Sequence, residues 1–332
     1  MKLQEIVAAL RGSRYFQHKT DIAKVLSVFD KALPSGLQDM NQAIHIGDDC
    51  AAIKEGDGYL LLAIEGMLSE FVREMPKMAG YSAVMVNISD IYAMGGRPIA
   101  VVNAMWSDGL ANADKILEGM AAASKVYGVP IVGGHSNIRS NQAQLAVSIL
   151  GRANQLLSSF NAKVGDKLLM AIDMRGRFDG VYPYWNATSK VAPERLRADL
   201  ELLPKLAEAG LCDAAKDISM AGILGTALML LECSKVGAKI NLDCIPMPAQ
   251  VSILRWLSAF PSYGFLLSVR PENEAAVTKI FQNRSITCSA IGTVTQDQQV
   301  TLQQGDEQLL LWDLAQNNFI LPKEKIANIE GV

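Results

Sequence analysis

The chain has 332 residues, half of them hydrophobic, with Lys+Arg 31 against Asp+Glu 34 and a formal net charge of −3. That length is long for one domain and comfortable for two, with enough apolar residues for sizeable cores. The charge balance excludes the basic footprint of a nucleic-acid binder or a polybasic membrane surface, and no apolar run approaches the roughly 20 residues of a membrane-spanning helix.

In chain order, residues 3–12 and 20–33 carry the apolar spacing of amphipathic helices. Tyr59–Ile64 is a strand after the turn Glu55-Gly-Asp-Gly58. The spacing predicts a helix over 79–94, stopped by Gly95-Gly96 with Pro98 just beyond. A strand Ile99–Met105, a helix 111–127, a short strand Pro130–Val132 and a strand Gln144–Leu150 follow. A second half begins near Asn154 and opens with the strand Lys167–Asp173. A long helical region over 193–215 and a helix 219–235 come next. Strands near Lys239–Leu242, Gly264–Val269, Cys288–Val294 and Gln308–Trp312 complete it. Strands and helices alternate without strict βαβ regularity, which reads as an α+β chain of two subdomains, 1–154 and 155–332. No repeat with a period of roughly 20–50 residues is present. The N-terminus lacks the apolar stretch of a signal peptide. Five scattered cysteines (Cys50, Cys212, Cys233, Cys244, Cys288) have no zinc-finger spacing. They read as reduced, mostly buried thiols of a cytoplasmic protein.

Five stretches can carry chemistry. Ile46-Gly-Asp-Asp-Cys-Ala-Ala-Ile53 sets two carboxylates before a small apolar run, which suits a hard cation such as Mg²⁺ and equally a surface turn. Glu65 stands at the C-terminal end of a strand, facing a site or solvent. In Val86-Asn-Ile-Ser-Asp-Ile-Tyr-Ala-Met94 a carboxylate lies in an apolar helix, where it is costly unless paired or metal-bound. Helical spacing puts Asn87 and Asp90 on one face and Ser89 off it; a pairing of Asp90 with Arg97 is the structural alternative. Gly133-Gly134-His135-Ser136 follows a short strand as a glycine-rich loop tip, with His135 open to a catalytic or a purely hydrogen-bonding role. Lys216-Asp-Ile-Ser-Met-Ala-Gly222 leads into a helix, with Ser219 as its N-cap and Asp217 just before a phosphate-favouring helix start. No GxxxxGK[ST] loop and no strand-linked GxGxxG occur, so a nucleotide site here is built differently.

Taken in order, these stretches resemble the aminoimidazole ribonucleotide (AIR) synthase superfamily. Its members include selenophosphate synthetase, thiamine monophosphate kinase, a hydrogenase maturation protein and formylglycinamide ribonucleotide amidotransferase. GDDCAAI is similar to the acidic DDAAV element, LLLAIEGM to the TTD strand, and VNISDIYAMGGRP to the helix N-x-S-D-x-x-A-M-G-G-x-P. GGHS has the selenophosphate synthetase form, KDISMAG resembles the second-half aspartate element, and Pro261–Val269 resembles a late S-G-G-L-L-x-x-V strand. The resemblance covers nearly the whole chain. It implies a two-subdomain α+β fold whose N-terminal sheets pair between two subunits into a β-barrel, making a homodimer. It implies ATP in a cleft between the subdomains, with Mg²⁺ held by Asp48, Asp49, Glu65, Asp90 and Asp217. Asn87, Gly133, Gly134, Ser136 and Arg97 would bind the nucleotide, and Lys19 and His135 would act at the transferred phosphate.

Departures narrow the reaction. The segment around Lys19 has no cysteine, against selenide chemistry, and SMAG with GGH in place of SDGL and GGD argues against thiamine monophosphate. What remains is phosphoryl transfer to, or ATP-driven activation of, a small molecule. Arg175, Arg177 and Lys190 make an anionic acceptor the expectation, with ordinary solvated charge as their alternative. A nucleotide-binding regulator or scaffold without turnover is the competing reading.

Overall fold

The computed structural model describes residues 1–29, 46–180, 182–189 and 191–322. The end of the expected helix 20–33 and the whole of Lys190 lie outside the described residues.

Five strands form the first sheet, in the order Ala51–Glu55, Gly58–Gly66, Arg139–Ala153, Arg97–Asp108, Ile131–Asn137. Neighbours run antiparallel except the last, which is parallel to Arg97–Asp108. Period-two alternation sorts the side chains: Leu61 and Ala63 are buried, Leu62 and Ile64 exposed. Two helices, Pro76–Ala93 and Leu110–Tyr127, pack on the buried face. They come so close that a Cβ on Gly119 would lie 1.9 Å from the Lys77 carbonyl oxygen, and one on Gly80 2.1 Å from that of Ile116. The first of these helices is buried almost all round, from Ala79 to Ala93. It stops at Gly95 in the left-handed region (φ +75°), as the Gly-Gly pair predicts. Among the described residues, the outer face of the sheet is left open and exposes Leu62, Ile64, Ile99, Val102 and Leu150.

The second sheet has seven strands, in the order Glu307–Asp313, Gln299–Gln304, Gly237–Asn241, Thr287–Thr295, Lys167–Ile172, Gly264–Val269, Ala214–Asp217. Its strand Gly264–Val269 is buried at every residue, which is why it reads as a continuous apolar run. The helix Gly222–Cys233 is likewise buried throughout. The N-terminal helix Leu3–Arg11 inserts Leu3, Ile6, Val7 and Leu10 into this second core. Arg11 secures it by donating to the carbonyls of Leu311 (2.9 Å) and Leu310 (3.0 Å). The next helix, Arg14–Phe29, then carries Lys19 back towards the space between the halves.

The α+β architecture with two subdomains matches the expectation, and several elements differ from it. The helical region 193–215 is two helices, Pro193–Leu200 and Leu202–Glu208, followed by the strand Ala214–Asp217. Gly210 (φ +65°) ends the helical run, and the apolar Ala-Ala that follows pairs at the sheet edge with Gly264–Val269. Ser219 does not cap the next helix: Ala221, in the left-handed region, is its N-cap, and the Ser219 carbonyl accepts from the Gly222 N–H. GGHS is no loop tip. It continues the strand Ile131–Asn137, with Gly134 opposite Asn103, where a Cβ would lie 2.3 Å from the Asn103 carbonyl oxygen.

Candidate functional site

A cavity of about 380 Å³ lies between the two halves. Helix Arg14–Phe29 supplies Lys19, the segment after residue 45 supplies Asp48 and Asp49, and the end of strand Gly58–Gly66 supplies Glu65. Helix Pro76–Ala93 contributes Ser82, Met85, Val86, Ser89 and Asp90, spaced three and four apart on one helical face. The edge strand Ala214–Asp217 adds Lys216 and Asp217.

At one end, carboxylate oxygens of Asp49, Asp90 and Asp217 lie within 4.8 Å of one another. Asp90 is 6 % exposed and its Oδ2 has no hydrogen-bond partner. Burial holds Asp90 well above the usual carboxylate range, and the charges of Asp217, Glu65 and Asp49 push it further the same way. Asp217 is raised for the same two reasons, burial first and Asp49 second. Like charges gathered out of water are costly, and a bound cation relieves both costs. An oxygen-only set with a buried carboxylate oxygen left unengaged fits Mg²⁺, whose remaining positions water and phosphate oxygens commonly fill.

Two lysines temper the negative charge. Lys216 is buried and its ammonium donates to Asp49 Oδ1. The second Asp49 oxygen accepts the Asp217 backbone N–H at 3.2 Å. Burial pulls the Lys216 ammonium down, but Asp49 and Asp48 outweigh it and hold the group above its ordinary value. Burial lowers Lys19, against the opposing pull of Glu65. Asp48 faces another way: it accepts from Ser158 Oγ (2.8 Å), Ser159 N (2.9 Å) and Ser159 Oγ (2.6 Å), tying its segment to the start of the second half.

The fold therefore gathers Lys19, Asp48, Asp49, Glu65, Asp90 and Asp217 around one cavity. Asn87 is not on its wall. It stands about 60° round the helix from Asp90, on the side away from Val86 and Ser89, and its Nδ2 donates to the Ala83 carbonyl at 2.8 Å. The expected shared face is thus corrected: Ser89 accompanies Asp90 on the wall. Arg97 neither pairs with Asp90 nor reaches the cavity; it binds Glu201 (3.1 Å) and Glu208 (2.7 Å). Gly133, Gly134, His135 and Ser136 lie on a strand exposed at every residue and do not line the cavity of their own chain. Arg175 and Arg177 are engaged by Asp173 and Asp179 and are also off the wall, so the anionic acceptor loses their support.

Lys216 is the residue that the motifs pass over, since attention falls on the aspartate beside it. The signal was available: a lysine between Ala214-Ala215 and Ile218 sits in an apolar stretch, where an unpaired charge is rare.

Comparison with known proteins gives matches over both halves. The family described as AIR synthase related protein, N-terminal domain, matches residues 47–153, and its C-terminal counterpart matches residues 131–305. An uncharacterized protein of Synechocystis sp. is 47 % identical over 316 residues, covering 95 % of this chain and 97 % of that protein. A thiamine-monophosphate kinase of Buchnera aphidicola is 26 % identical, over 85 % of this chain and 94 % of the kinase. Among solved structures, T. maritima PurL complexed with ATP superposes with a TM-score of 0.70 at 20 % identity, covering 85 % of this chain and 48 % of that one. The last likeness shows the fold.

Proposed function

The chain belongs to the family of AIR synthase related proteins, and from that premise we propose that it is a Mg²⁺- and ATP-dependent enzyme, transferring phosphate to a small molecule or activating it by phosphorylation. One observation carries the reading: the Oδ2 of Asp90, buried beside Asp49 and Asp217 and without a partner among the described residues. An ATP complex of a protein with the same fold and the kinase activity named for a relative support the nucleotide.

Asp49, Asp90 and Asp217 would hold the metal, with Glu65 at the rim. Bound Mg²⁺ neutralises phosphate oxygens and aligns the transferred group. Lys19 lines the same cavity and would donate to the transferred phosphate. Ser89, the residue before Asp90 on the same helix, would orient the metal or its water. Asp48 acts through position: its three bonds to Ser158 and Ser159 hold the Asp49 backbone in register with the second half.

The enzyme is proposed to work as a cytoplasmic homodimer. The open sheet face with Leu62, Ile64, Ile99, Val102 and Leu150 is a contiguous apolar surface of the kind that marks an interface. A second copy's sheet would cover it and close the barrel. Only across such a pair would Gly133, Gly134, His135 and Ser136 meet a nucleotide.

The test is ATP turnover with Mg²⁺ across a panel of small-molecule acceptors. An acceptor-dependent rate that Asp90→Asn abolishes is expected. Wild-type turnover retained by Asp90→Asn removes the metal role, and tight ATP binding with no turnover for any acceptor favours a nucleotide-binding regulator.

A further inference from the structure

We propose that Lys216 stands in for one divalent cation in the carboxylate cluster, so that the site takes a single metal ion beside a permanent ammonium. The inference rests on the metal reading above and concerns the count of ions and the residue that sets it.

The geometry is specific. Lys216 is 3 % exposed, on the edge strand Ala214–Asp217, and its Nζ is bonded to Asp49 Oδ1. Asp49 Oδ2 accepts from the Asp217 N–H at 3.2 Å, so both Asp49 oxygens already have partners. A second metal ion, at Oδ1, would have to displace the ammonium and leave it buried without a partner, a costly state. The unengaged oxygen of the cluster belongs to Asp90.

Charge points the same way. Acidic side chains outnumber basic ones on the cavity wall, with Asp48, Asp49, Glu65, Asp90, Asp179 and Asp217 against Lys19 and Lys216. Asp48 spends its carboxylate on Ser158 and Ser159. Were two ions bound among these side chains, a buried ammonium beside them would be repelled rather than held. Lys216 is therefore a positioning residue. It holds one Asp49 oxygen while the other accepts from the Asp217 N–H, which leaves the unpartnered Asp90 oxygen for the metal.

The experiment counts Mn²⁺ on the full chain without nucleotide, by calorimetry and by the paramagnetic resonance of free Mn²⁺. The wild type is expected to bind one ion per chain. Lys216→Gln is expected to bind a second, at least tenfold more tightly than any second ion on the wild type, which is about 1.4 kcal/mol. Lys216→Arg, which keeps the charge, is expected to stay at one. Two ions on the wild type, or one on Lys216→Gln, overturns the proposal while leaving the metal reading standing. No Mn²⁺ on the wild type removes the metal reading itself. Should Lys216→Gln fold only in Mn²⁺ and unfold on chelation, the ion is replacing the ammonium, as proposed. Should it fold in neither condition, the Arg variant decides: one ion upholds the substitution of charge, two overturn it.

Discussion

Replacing Asp90 by Asn should stabilise the metal-free protein and at the same time abolish its response to Mg²⁺. Most core substitutions destabilise, so the direction is diagnostic. In the wild type the Asp90 carboxylate is 6 % exposed, its Oδ2 is unpartnered, and Asp49 and Asp217 oxygens lie within 4.8 Å. An unsatisfied buried polar group costs about 1–3 kcal/mol, and more when charged. Asn has almost the same shape, carries no charge, and offers an N–H₂ that either neighbouring carboxylate can accept. A gain of about 1–3 kcal/mol in EDTA at pH 8 follows, read from the urea midpoint at unchanged slope. Adding Mg²⁺ at a hundred times its dissociation constant should raise wild-type stability by about 2.7 kcal/mol through mass action. The Asn variant should gain little. A variant less stable than wild type in EDTA, yet equally stabilised by Mg²⁺, would refute the reasoning, because Asp90 would then be a satisfied structural carboxylate.

Ile64→Lys puts a charge on the open sheet face, where Ile64 is 68 % exposed; sedimentation should show a dimer for the wild type and a monomer of unchanged circular dichroism for the variant. Gly119→Ala drives a Cβ to 1.9 Å from the Lys77 carbonyl oxygen. Overpacking of about 1–3 kcal/mol, less up to about 1 kcal/mol recovered from helix propensity, should lower the urea midpoint, and Mn²⁺ affinity should fall because Asp90 rides on the displaced helix. Burial holds Glu232 above its ordinary value of 4.5, against three backbone N–H groups of Phe319, Ile320 and Leu321 that favour the charged form. The native state then binds more protons than the unfolded chain between the two values, so this carboxyl's contribution to stability falls as pH rises through that window. The stability difference between wild type and Glu232→Gln should therefore be largest near pH 4.5 and shrink as pH rises to the folded-state value, a trend that paired urea titrations would detect.

Local chemistry made much of the chain legible. Gly95-Gly96 had to end the helix before it, and the apolar run Gly264–Val269 had to be a buried strand, because backbone conformation and burial are written into those residues themselves. The acidic stretches announced a cation site for the same reason: a carboxylate in an apolar helix has few affordable explanations. Sequence spacing could not say which carboxylates meet. Asp49, Asp90 and Asp217 come from a segment, a helix and an edge strand that are distant in the chain, and only packing brings their oxygens together. Which helix face looks into the cavity was also decided by packing, since Gly80 and Gly119 lock the helix at one rotation that puts Ser89 on the wall and turns Asn87 away. The ammonium of Lys216 beside Asp49 is the clearest case. Its residue type alone says solvated charge, and only the tertiary fold removes the water and leaves a carboxylate as its partner.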